Sequence, residues 1–104
     1  MSAPTEKGFA MALARVVAFN GVTKQRIEEL RQQMGEQGRP DEIPATEIMI
    51  LHDPDAETSL AIVFFANEDD YRKGDAALSA MPGSDTPGSR TSVTKYEVAI
   101  RMTA

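Results

Sequence analysis

The sequence predicts an α+β fold in which a four-stranded antiparallel sheet carries two helices on one face. Two apolar stretches, 10–19 and 58–65, have the composition and period of strands, and two polar-capped stretches place apolar residues at helical spacing. Turn-forming residues stand at the boundaries. The resulting order is strand, helix, strand, strand, helix, strand, which is the split βαβ pattern.

From Ala10 to Phe19, the residues Met11, Leu13, Val17 and Phe19 alternate with Ala10, Ala12, Ala14, Val16 and Ala18. Both faces of this strand are largely apolar, so it belongs in the middle of the sheet. Asn20 and Gly21 break it. Thr23 then caps a helix whose Ile27, Leu30 and Met34 share one face, with Gly35 and Gly38 closing it. Glu36 to Pro44 mixes charge with two prolines and forms an irregular connection.

A second strand runs from Ala45 to His52. Asp53, Pro54, Asp55 and Ala56 turn the chain, and the β-branched and aromatic run from Thr58 to Phe65 returns as the hairpin partner. Asn67 caps a second helix, and Glu68, Asp69 and Asp70 suit the positive end of its dipole. Tyr71, Leu78 and Met81 recur along it at helical spacing. The segment from Pro82 to Arg90 is a loop by composition, and Thr91 to Met102 alternates as the last strand. Right-handed crossovers place the first and third strands centrally and the second and fourth at the edges, a ferredoxin-like arrangement.

A chain of 104 residues, 41% hydrophobic and 26% charged, has the size and composition of one globular domain spanning 1–104. Residues 1–8 read as a flexible amino-terminal tail. A net charge of −5 supplies no basic field for a phosphate backbone, so no nucleic-acid partner is expected. The absence of cysteine removes disulfides, thiolate metal sites and cysteine nucleophiles. The polar start, Met1 to Gly8, lacks the order of a secretory signal, and no apolar run reaches the length of a membrane span. The expectation is a cytoplasmic protein with no membrane partner.

Two helices shield only one face of such a sheet, yet both faces read apolar. Leu60, Ile62 and Phe64 point one way and Ala61, Val63 and Phe65 the other, while Ile48 and Ile50 oppose Met49 and Leu51. A two-fold partner presenting the same face is the simplest cover, so a homodimer is expected. The competing reading folds the 82–90 loop or the amino-terminal tail over that face.

From about Ala10 to Met102 the chain resembles the dimeric α+β barrel superfamily, and within it small proteins similar to antibiotic-biosynthesis monooxygenases. The resemblance rests on the element order, the Leu60 to Phe65 strand, the Asn67 to Tyr71 helix start and the alternation of Tyr96, Val98, Ile100 and Met102. It implies two sheets closing into a barrel with helices outside and, in enzymatic relatives, a pocket between helices and sheet. Members include cofactor-independent oxygenases acting on aromatic substrates, haem-degrading enzymes, lactone isomerases and small-molecule-sensing modules. The haem-degrading branch looks dependent on an Asn, Trp and His constellation, and this chain has no tryptophan. Two functions stay open: a small-molecule-binding module, or a cofactor-independent monooxygenase-like enzyme acting on an aromatic or polyketide-like substrate. No cofactor is expected for either.

His52, the lone histidine, can act as a general base or hold a substrate carbonyl; its alternative is a plain strand-end residue beside the hairpin turn. With Asp53, Asp55 and Glu57 it has the spacing of a hard-cation site, but the glycine that bends a calcium loop is missing, so no metal site is expected. Tyr71 and Tyr96 offer phenols to an aromatic ligand, and Met11, Met34, Met49, Met81 and Met102 offer an adaptable apolar wall; core packing is the competing use of both. Arg15 interrupts an apolar strand face and pairs, on this reading, with Glu97 across strands. The 83–91 loop, with Ser84, Thr86, Ser89 and Arg90, carries donors for an anion or serves as a mobile connection. The candidate site residues are therefore His52 and Tyr71 for catalysis, and Tyr96, Arg15 and Arg90 for a small apolar or aromatic ligand.

Overall fold

The computed structural model describes residues 12–38, 43–81 and 86–102. It contains β1 (Leu13–Asn20), α1 (Lys24–Gln37), β2 (Glu47–Asp53), β3 (Thr58–Phe65), α2 (Glu68–Ser79) and β4 (Ser89–Glu97). The strands form one sheet in the order β2-β3-β1-β4, with every neighbouring pair antiparallel. This is the ferredoxin-like βαββαβ fold, with the two most apolar strands in its centre. The amino-terminal tail lies outside the described residues. No helix among those described is long and apolar enough to cross a membrane.

Both helix starts follow from their caps. The Thr23 hydroxyl accepts the backbone N–H of Arg26 at 3.1 Å, and the Asn67 side-chain oxygen accepts that of Asp70 at 2.8 Å. Gly35, expected to help close α1, lies inside it; the helix ends at Gly38, whose φ of 71° is the left-handed conformation that glycine adopts without strain.

Register fixes which side chains share a face. Leu13, Arg15, Val17 and Phe19 of β1 align with Phe65, Val63, Ala61 and Ser59 of β3, and Val63 and Ala61 with Ile48 and Ile50 of β2. The helices cover this face. Its core forms two clusters: Leu13, Ile43, Ala45, Val63, Phe65 and Tyr71 make one, and Val17, Phe19 and Val22 the other. Ile43 and Ala45 belong to the connection before β2, where the sequence reading placed irregular chain and the start of the strand.

The helices approach the sheet unequally. α2 lies against β1 and β3, while α1 stands farther off. The reason is local. Gly74 faces the Phe65 ring so closely that a Cβ there would sit 2.3 Å from two ring carbons, whereas α1 presents Ile27, Leu30 and Met34 and no small residue on its apolar side.

The last strand departs from expectation at its end. Pairing stops at Glu97 opposite Leu13, the first residue of β1, and residues 98–102 leave the strand. The Val98 N–H still reaches the Ala12 carbonyl at 2.9 Å. Arg101 then lies over the Phe64 ring at 5.3 Å and pairs with Glu47 on the far edge strand. The carboxyl-terminal segment therefore crosses one end of the helix-free face. Ile100 and Met102 project from it, 83% and 87% exposed.

Two glycines of similar helical setting are expected to respond oppositely to alanine. Gly74→Ala, which must displace Phe65, is expected to destabilise the fold by about 1–3 kcal/mol. Gly35→Ala, with nothing within 4 Å of the new methyl, is expected to stabilise it by about 0.5–1 kcal/mol. Denaturant unfolding of the two variants measures both; equal effects would discard the close approach of α2.

Candidate functional site

Between the two core clusters in β1 stands a charged residue, Arg15, which is only 2% exposed. An unpaired guanidinium in such a place would be costly. α2 meets that requirement. Arg15 Nε donates to Asp75 Oδ1 at 2.8 Å and Nη2 to the Ser79 hydroxyl at 3.3 Å. The cross-strand partner expected for Arg15, Glu97, shares its face but sits opposite Leu13, and Lys95 is the residue opposite Arg15. The carboxylate comes from the overlying helix instead.

Because α1 stands off the sheet, a cleft of about 460 Å³ opens above the face that Arg15 belongs to. Val17, Ile48, Ile50, Ala61 and Val63 of the strands line it, with Leu30 and Met34 on the α1 side. Leu78, Met81, Thr86 and Arg90 border it from the α2 side and the start of β4. The volume lies within the range of small-molecule pockets, and the lining is apolar apart from a few groups. A more open hollow of about 660 Å³ adjoins it and shares Met81, Thr86 and Arg90.

The other sequence candidates are dispersed. His52 is on the helix-covered face at the hairpin end, where its Nε2 donates to the Val22 carbonyl at 2.9 Å; it does not border the cleft. Asp53 accepts the N–H groups of Asp55 and Ala56 and so organises the turn. No group of three residues able to hold a metal gathers among the described residues. Tyr96 is exposed and lies on the opposite face of the sheet, beside Ala14 in register. Met34 and Met81 line the cleft, Met49 is exposed on the other face, Met102 is on the carboxyl-terminal segment, and Met11 lies outside the described residues.

Tyr71 is buried in the α2 cluster, edge-on to Phe65 with ring centroids 5.4 Å apart, and the Lys95 ammonium sits 4.9 Å above its ring. Lys95 is itself held by Glu68 at 2.7 Å. Burial raises the Tyr71 pKa above 10.0, and the Asp75 charge raises it further; Arg15 and Lys95 oppose this, and Glu68 adds to it.

Arg15, expected in a buried pair, and Arg90, expected in a loop, border one cleft. Their joint presence was not legible, because it depends on how far α1 stands from the sheet. Comparison with known proteins found no matching family model, no matching curated protein and no matching solved structure.

The Tyr71 environment sets a pH dependence. A folded pKa above the unfolded value of 10.0 favours the protonated phenol, so its contribution is complete below pH 10 and is lost as the pH rises through the folded value. In a Tyr96→Phe background, absorbance titration is expected to show Tyr71 ionising above 10.0, and Asp75→Asn is expected to bring the midpoint down. The same substitution should cost about 2 kcal/mol of stability, because it takes the anionic partner from a buried guanidinium. An unmoved midpoint would remove Asp75 as a cause.

Proposed function

We propose that this chain is a small-molecule-binding module that takes an apolar ligand in the cleft between α1, α2 and the sheet, and that it works as a homodimer. The observation that carries the ligand reading is the space itself: α1 packs inward through Ile27 and Leu30 but leaves Met34 partly in water, and a cleft of about 460 Å³ remains between α1, α2 and the sheet. A monooxygenase-like enzyme would need a proton acceptor beside its substrate. His52 and Tyr71 are directed to structural contacts outside the cleft lining, which favours the binding role.

The dimer rests on the opposite face. Met49, Leu51, Leu60 and Tyr96 are exposed there, with Val16, Ile62 and Phe64 partly so. Ionisable side chains of this face stand at its ends, where Arg101 already holds Glu47, so its centre is uncharged. Two copies of a chain of net charge −5 can meet on such a surface without placing like charges together.

Titration with decan-1-ol, followed by methyl NMR, is expected to shift the signals of Met34, Ile50 and Val63 and to leave those of Met49 and Leu51 in place. Shifts confined to the second set, or none at all, would refute the cleft reading. Sedimentation at micromolar concentration is expected to give twice the subunit mass, and Leu60→Asp is expected to give single subunits with unchanged helical content. A parent protein sedimenting as one subunit would rule out the dimer.

A further inference from the structure

We propose that the ligand of this cleft carries a carboxylate, received by Arg15 on the floor and Arg90 at the mouth. The inference rests on the cleft being a ligand site and adds the chemistry of what enters it.

The first ground is the spare capacity of Arg15. A guanidinium has five N–H donors in a planar fork. Asp75 and Ser79 take the edge formed by Nε and Nη2, and Nη1 has no partner among the described residues although the side chain is only 3% exposed. A buried donor left unmatched costs free energy that an entering acceptor recovers. The remaining edge, Nη1 with the second Nη2 hydrogen, matches the two oxygens of a carboxylate, as a guanidinium typically binds one.

The second ground is the sign of the charge. The chain carries 16 acidic and 11 basic residues, yet among the described residues the charged side chains lining the cleft are two arginines and no carboxylate. Asp75 neutralises one of them from outside the lining, on the α2 side. Arg90 is exposed, its Nη2 at the outer limit of hydrogen bonding from the Leu78 carbonyl, 3.5 Å. Among the described residues, an anion entering the cleft therefore meets a net positive site inside a negative protein.

The third ground is the division of the walls. Most of the strand and α1 lining is apolar, with Gln33 the exception on α1, whereas Arg15 lies on the floor and further polar groups towards the start of β4. A ligand with one anionic end and one apolar body satisfies both parts, while a fully polar anion would leave the apolar wall wet. A monocarboxylate with an aliphatic or aromatic body is the class that fits.

The test compares decanoate with decan-1-ol, which share a chain and differ in the charged end, by calorimetry and methyl NMR at pH 7. Decanoate is expected to bind the parent protein at least tenfold more tightly than the alcohol. Arg15→Met keeps the volume and removes the buried charge, so it is expected to retain the parent's helical content and to lose that tenfold preference. Arg90→Met is expected to weaken decanoate several-fold and to reduce the dependence of its binding on salt. Equal binding of both probes, unchanged in Arg15→Met, would overturn the carboxylate and leave the apolar cleft standing. Binding of neither would overturn both readings.

Discussion

The buried guanidinium of Arg15 is the constraint on which the arrangement depends. A full charge on the covered face of a sheet is tolerable only where a carboxylate and further acceptors reach it, and here they come from Asp75 and Ser79, one turn apart on α2. The rotation of α2 about its axis meets that requirement. It also places Tyr71 against Phe65 and Gly74 over the Phe65 ring, since all these residues share the same side of one helix.

The same residue divides the core. Leu13 and Val17 lie either side of it in β1 and feed two separate clusters. α2 can sit close because a glycine faces the sheet. α1 carries bulky groups on its apolar side: Ile27 and Leu30 pack inward, and Met34 remains partly in water. A cleft with a cation on its floor follows from those two facts together. Much of the exposed apolar surface thus lies on the far face of the sheet, with Met49, Leu51 and Leu60, while strand residues bordering the cleft, such as Val17 and Val63, stay buried.

Much of the architecture was legible in local sequence. The caps Thr23 and Asn67, the Asp53 to Ala56 turn and the run from Thr58 to Phe65 are recognisable because each acts through backbone geometry within a few residues. The two-sided apolar pattern of β1 and β3 placed them in the centre. Less legible was the end of β4: the alternation through Met102 continues past Glu97, where the pairing with β1 ends. Alternation reports a preference, and the partner supplies the hydrogen bonds.

The sequence by itself determined the element order, the sheet order and the excess of apolar side chains on the face that no helix covers, because these follow from periodicity, capping and the handedness of crossovers. Tertiary structure decided that Arg15 pairs with Asp75 and not with Glu97, that the carboxyl-terminal segment crosses the sheet to Glu47, and that Arg90 meets Arg15 at one cleft. Those outcomes join residues 54 to 75 positions apart, and no local preference encodes the distance between two packed layers.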